Sequence, residues 1–171
     1  MLLKTVRGYT PTYGKDCFFA DNATLIGDVV LGDRCSVWFQ TVVRGDVNAI
    51  RIGHEVNIQD GVVIHATFEK ASTQIGNQVS IGHNALVHGC ILEDRVLVGM
   101  GSIIMDHCVV GQNSIIAAGA VLPQGTMVPP GSVYAGVPAK KIKEVDPQLQ
   151  KGEIERIAQN YLRYAEWYKK T

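Results

Sequence analysis

From Leu92 onward an aliphatic or aromatic side chain returns at every sixth position, at Val98, Ile104, Val110, Ile116, Leu122, Val128 and Tyr134. A second series four places on is small or β-branched: Val96, Ser102, Cys108, Ser114, Ala120, Thr126 and Ser132. A period of six suits neither an α-helix, which repeats near 3.6, nor an independent hairpin. It suits a hexapeptide β-solenoid in which every beat points inward and the next turn covers the apolar face that no unit can bury alone. Shorter runs of the same kind stand upstream: Leu31, Val37, Val43; Ile52, Ile58, Ile64; and Ile75, Ile81, Val87. Glycine often follows the beat, at Gly32, Gly53, Gly76, Gly82, Gly99 and Gly111, and is expected to let the chain turn the corner.

With three hexads to a triangular coil, Val43, Ile64, Val87 and Ile104 share a first face. Ile52, Ile75 and Leu92 share a second, and Ile58, Ile81 and Val98 a third. Phe68 to Gln74 is surplus and must bulge out as a loop. Directly after the first-face beats come Arg44, His65, His88 and Met105, an outward column on successive coils. Neighbouring coils lie roughly 4.8 Å apart, so two stacked imidazoles can share one metal ion. His83 sits two places after a third-face beat, with Asp60 in the equivalent place one coil below. It falls near a corner, where a prism packed alongside could present it to the His65 and His88 column of another chain. Three corners closing heterologously give a cyclic homotrimer with one site per interface.

Composition narrows the function. The 171 residues are enough for one domain with a real core, and the formal net charge is zero with no basic cluster, which argues against nucleic acid. The opening residues carry no cleavage signature. No run approaches the roughly 20 apolar residues of a membrane span, so a cytoplasmic location is expected. Cys17, Cys35, Cys90 and Cys108 form no CxxC pair and read as structural thiols of a reducing compartment. After Pro138 the beat stops. Ile154, Ile157, Tyr161, Tyr164, Ala165 and Tyr168 then recur at helical spacing, so residues 1–140 are read as the β-helix and 141–171 as a linker and an amphipathic α-helix packed on it.

Val43-Arg44-Gly45-Asp46, the run Asn57 to Gly61, His65, the cluster Ile81 to Cys90 and the tail Tyr134 to Lys140 together resemble the γ-class carbonic anhydrases and their bacterial homologues. The resemblance covers nearly the whole chain. It implies a left-handed β-helix, a hand that spacing cannot reveal, and a trimer in which His65 and His88 of one chain and His83 of the next bind zinc. It further implies that Gln59 hydrogen-bonds the nucleophile on the metal, that Arg44 and Asp60 tie adjacent subunits with Asp46 joining them, that Asn57 serves the same network, and that Tyr161, beside Asn160, approaches the site. Zinc held by three imidazoles keeps a position for water and lowers its pKa toward about 7, giving a hydroxide that can attack carbon dioxide to form bicarbonate. Iron(II), cobalt or nickel also accept imidazole nitrogen.

Other features bound the reading. His54 and His107 fall outside the column and are expected to face solvent or pack, and Met100 and Met105 to form apolar walls. The segment from Asp46 to Ile52 is too short for the acidic proton-carrying loop of the best-known γ-class enzyme, and Phe68 and Glu69 stand beyond His65. Metal binding is therefore the firmer expectation than rapid turnover. Three alternatives share the repeat: an acyltransferase using an acyl-coenzyme A and one histidine as base, a metal-dependent thioesterase, and a metal-binding module without catalysis.

Overall fold

Beats stack rung on rung. In the computed structural model, which describes residues 1–169, the first face aligns Val43, Ile64, Val87, Ile104 and Leu122 in parallel register. The second aligns Ile52, Ile75, Leu92, Val110 and Val128. Val37, Ile58, Ile81, Val98, Ile116 and Tyr134 make the third. All three faces match those read from the spacing. The result is a left-handed parallel β-helix of about 7 turns with a C-terminal helix. Strands Thr24–Leu31 and Val42–Ile52 run through a corner, so the first and second faces join as one 12-stranded sheet while the third is an 8-stranded sheet. Most inward beats are wholly buried, as are Val96, Ser102, Cys108, Ser114 and Ala120 of the small series. At roughly 1.5–3 kcal/mol for each large aliphatic side chain, the axial stack is the main source of stability.

The glycines that follow the beat do something other than turn the corner. Gly32, Gly53 and Gly76 have no left-handed φ. The left-handed conformation falls instead on Arg34 (φ 56), Glu55 (φ 57) and Gln78 (φ 56), each two residues further on. A Cβ on Gly32 would lie 2.8 Å from the Gly53 carbonyl, and one on Gly53 would lie 2.8 Å from that of Gly76. These glycines therefore let successive coils approach, and ordinary residues carry the backbone strain at these corners, while Gly101, Gly119, Gly125 and Gly131 take the left-handed φ at others. Rung-to-rung hydrogen bonds over-determine those residues, as where Glu55 N–H donates to the Asp33 carbonyl and Gln78 N–H to that of His54.

The surplus segment is shorter than the spacing suggested. Thr73 and Gln74 belong to the strand Thr73–Ile75, and the excursion is closed by antiparallel pairing of Thr67 with Ala71. The β-domain also runs past residue 140. Strand Ser132–Gly136 folds back on Ala139–Glu144, an antiparallel edge whose Lys140, Lys141 and Lys143 discourage further pairing. Pro147 then opens the helical region under the Asp146 cap, whose carboxylate accepts from Leu149 N–H at 2.8 Å. A π-helical turn, Gln150–Glu155, leads into the helix Arg156–Lys169. This helix lies along the third face of the early coils rather than over an open end: Trp38 packs against Tyr161 and Tyr168, ring centroids 5.3 Å apart in both cases, and Phe18 completes the cluster at 4.9 Å from Trp38. Among the described residues no helix is long and apolar enough to cross a membrane, and all four cysteines are free.

Candidate metal centre

His65 ends the strand Val63–His65 and His88 ends Leu86–His88, in register on adjacent coils. The period of two along a strand puts Ile64 and Val87 inside, so the next residue points out. His65 Nδ1 lies 3.0 Å from His88 Nε2. The outer nitrogen of each ring meets a carboxylate: His65 Nε2 is 3.1 Å from Asp46 Oδ1, and His88 Nδ1 is 2.5 Å from Asp106 Oδ1. An ionised carboxylate only accepts, so the protons sit on those outer nitrogens and the two inner lone pairs face each other. Such a pair is repulsive unless a proton or a cation stands between. Burial, together with the Arg44 and His88 charges, holds His65 below the ordinary histidine value despite its bond to Asp46, so His65 resists taking up that proton. Two imidazole nitrogens bound at about 2.0–2.1 Å to one tetrahedral ion would sit roughly 3.3 Å apart, close to the spacing here. The donor set therefore fits a divalent metal.

The carboxylates are themselves held in their charged form. Burial raises Asp46, but bonds from Arg44 and His65 outweigh it and leave the group below the usual value. Arg44 donates to Asp46 Oδ2 at 2.7 Å. Asp106 is likewise lowered, burial being overcome by bonds from Thr67 and His88.

His83 follows the third-face strand Ser80–Ile81 and lies on another part of the prism. Its Nδ1 is 2.9 Å from Asp60 Oδ2, and Phe39 N–H donates to Asp60 Oδ1 at 3.2 Å. With that proton committed, Nε2 is again the lone-pair end, and the Tyr161 hydroxyl lies 3.3 Å from it. Burial, with Asp60 and Tyr164 nearby, pushes the Tyr161 phenol up to about 12. All three histidines thus share one device, a carboxylate that fixes the proton on one nitrogen and a lone pair on the other, which on His83 faces the Tyr161 hydroxyl. Among the described residues no three His, Cys, Asp or Glu side chains of one chain gather as a group able to hold an ion. One chain brings His65 and His88 together and leaves His83 apart.

Gln59 and Asn57 are buried on the third face, where Gln59 Nε2 donates to Asn57 Oδ1 at 3.0 Å and Asn57 Nδ2 to Ser80 Oγ at 2.7 Å. That chain orients the Gln59 amide and leaves Oε1 as its acceptor end. Gln59 also lines a cavity of about 280 Å³ between the third face and the π-helical turn, walled by Leu97, Ile115 and Ile157 and by Met100 at the rim. Met100 and Met105 are both exposed on the single chain. His54 stands outside, mostly exposed and accepting from Asp33 N–H at 2.9 Å, and His107 occupies a left-handed corner. The interval from Asp46 to Ile52 is continuous strand, without a loop, and Glu69 is exposed on the Thr67 to Ala71 excursion.

Asp106 and Ser80 were not picked out from the sequence. Asp106 follows a first-face beat by two places, as Asp60 follows a third-face beat, and sits one coil beyond His88 as Asp60 sits one coil from His83. That offset between a carboxylate and a histidine was the available signal.

Fold and site define a hexapeptide-repeat β-helix protein with paired, carboxylate-oriented histidines. A family model described as dynactin subunit 5 matches residues 14–166. A Methanocaldococcus jannaschii protein named probable carbonic anhydrase is 52% identical over 150 residues, 88% of this chain and 91% of that one. Gamma carbonic anhydrase 2, mitochondrial, of Arabidopsis thaliana is 38% identical over 169 residues, covering 96% of this chain and 60% of the plant protein. A hexapeptide transferase family protein of Anaplasma phagocytophilum superposes with a TM-score of 0.92 at 38% identity, over 98% of both chains. The chain belongs to the γ-class carbonic anhydrase family.

Proposed function

We propose that the protein is a γ-class carbonic anhydrase that interconverts carbon dioxide and bicarbonate in a homotrimer, at three interfaces where His65 and His88 of one chain and His83 of its neighbour hold a divalent ion, zinc foremost. The observation that carries this reading is the pair of facing lone pairs on His65 and His88, each fixed by a carboxylate on the far side of its ring. The Nε2 lone pair of His83, which meets the Tyr161 hydroxyl and no second histidine of its own chain, supports the sharing. A bound ion supplies an acidified water and a Lewis acid at neutral pH.

The chain's own residues do the rest. Asp46, Asp60 and Asp106 hold the rings in the ligating tautomer. Gln59, fixed by Asn57 and Ser80, would offer Oε1 to accept a hydrogen bond from the nucleophile and so aim its oxygen. The apolar wall beside Gln59 suits a small neutral substrate and keeps competing water out. Arg44, half exposed on the single chain, and Asp60 are placed to pair across the interface, where burial would make the loss of either partner cost about 3–5 kcal/mol. Tyr161 closes the His83 side. The test is metal analysis of protein prepared without oxygen, followed by stopped-flow hydration of carbon dioxide: one ion per chain and chelator-sensitive hydration are expected, and an ion-free trimer or a metal-loaded one without hydration contradicts the reading.

The solved hexapeptide transferase relative favours a second reading, in which the cleft between prisms binds an acyl-coenzyme A and one histidine acts as base. Acetyl transfer that persists with excess chelator would support it. Thioester hydrolysis lost with the ion would instead place a hydrolase at the same metal centre.

A further inference from the structure

The excursion from Thr67 to Ala71 lies outside the hexad and outside the ligand set, yet it bonds the carboxylate that meets His88, and the strand that follows it bonds the His65 carbonyl. Thr67 Oγ1 donates to Asp106 Oδ2 at 2.5 Å, while Asp106 Oδ1 accepts from His88 Nδ1 at the same distance. Thr73, just after the excursion, donates from Oγ1 to the His65 carbonyl at 2.6 Å. Thr67 is itself pinned: its N–H donates to the Ala71 carbonyl at 2.9 Å, its carbonyl accepts from Ala71 N–H at 3.2 Å, and Asn48 Nδ2 donates to that carbonyl at 3.1 Å. Space for the carboxylate is provided by Gly89, next to His88. A Cβ there would collide with Asp106 Oδ1 and lie 2.8 Å from the Ala71 Cβ.

We propose that Asp106, clamped by Thr67 from the excursion, is a positioning residue that fixes His88 with its Nε2 lone pair turned to the metal position. The physical case has three parts. Asp106 is mostly buried, so a charge-assisted bond to it is little weakened by solvent. Its two oxygens are divided between one hydroxyl and one imidazole, which removes rotational freedom about the carboxyl and so about the ring it meets. Neutral histidine must choose a tautomer, and a carboxylate at Nδ1 selects the one that leaves Nε2 open. The excursion is thus part of the site: it carries the hydroxyl that holds the orienting carboxylate. This rests on the metal-binding reading above, but the tautomer of His88 can be measured without any ion.

The test uses the full-length assembly labelled with ¹⁵N-histidine, examined metal-free by imidazole NMR and then titrated with Co²⁺ or Zn²⁺ against a competing chelator. In the unmodified protein His88 is expected in the Nδ1–H form. Asp106→Ala should move it toward Nε2–H and weaken metal binding by about 10–100-fold, Thr67→Val should weaken it several-fold, and Thr67→Ser should restore it. Gly89→Ala should resemble Asp106→Ala. A folded Asp106→Ala protein that keeps the Nδ1–H form and binds metal within twofold of the parent would overturn the proposal. If that variant does not fold, Thr67→Val decides by the same two readouts, since it removes only the hydroxyl. Should the parent bind no ion while His88 still changes tautomer in Asp106→Ala, the clamp stands and the metal reading falls.

Discussion

His65 Nδ1 and His88 Nε2 face each other across 3.0 Å with their protons drawn to the opposite side of each ring by Asp46 and Asp106. Replacing either histidine removes half of a two-point grip, and replacing His83 removes the third point from a neighbouring chain. His65→Ala, His83→Ala and His88→Ala are each expected to lower metal affinity at least about a hundredfold, the upper end of what loss of an orienting partner alone costs. His54→Ala and His107→Ala should keep a full complement. Elemental analysis after dialysis against a weak chelator distinguishes the two groups.

Acid should loosen the site in a defined order. Folding holds His65 below its ordinary value of about 6.5. Between that value and its folded pKa the unfolded chain binds more protons, so its share of stability is complete above about pH 6.5 and falls as the pH drops toward the folded value. Asp46 and Asp106 are also lowered. Their stabilisation is present above the ordinary carboxylate value near 3.9 and is lost as pH falls from there through the folded values. Urea midpoints of the metal-free protein should decline below pH 6.5, and His65→Gln should flatten the first part of that decline.

Glycines of the stacking column and residues of the corners should respond with opposite signs. Gly53→Ala drives a Cβ into the Gly76 carbonyl at 2.8 Å and should cost about 1–3 kcal/mol. Gln40 holds a left-handed φ of 59, and Gln40→Gly should stabilise by up to about 1 kcal/mol through relief of that strain. Denaturant midpoints at constant m-value measure both.

The helix is anchored through Trp38, buried among Phe18, Tyr161 and Tyr168 with Nε1 donating to Ser36 Oγ at 3.0 Å. Trp38→Ala should cost about 3–5 kcal/mol and raise hydrogen exchange along Arg156–Lys169 more than along the coils. Equal protection in the helix would contradict this anchoring.

Much of this architecture was legible because a solenoid converts sequence spacing directly into spatial neighbours. Val43, Ile64 and Val87 are 21 and 23 residues apart, yet counting beats places them on one face, and the stacking of His65 on His88 follows from it. Spacing alone does not give the role of these glycines, because small size serves both torsion and close approach. Only the coordinates show that Gly53 meets Gly76 while Glu55 takes the left-handed turn. Spacing assigns Thr73 and Gln74 to the excursion because the beat resumes visibly only at Ile75. The strand through Glu144 lacked a beat altogether, being an antiparallel edge of lysines. Asp106 escapes the spacing because its importance lies in a bond between coils, set by an offset of one place from the histidine column.

Shared ligation is tested most directly by subunit exchange. His65→Ala and His83→Ala chains, each unable to complete a site alone, are mixed in equal amounts, exchanged under mild denaturant, and analysed for bound metal. A cyclic trimer whose sites take His65 and His88 from one chain and His83 from the next should recover about a quarter of the parental metal, since random mixing leaves that share of interfaces intact. Metal content no higher than in either parent variant, after exchange has been verified by mass, would contradict ligation across the interface.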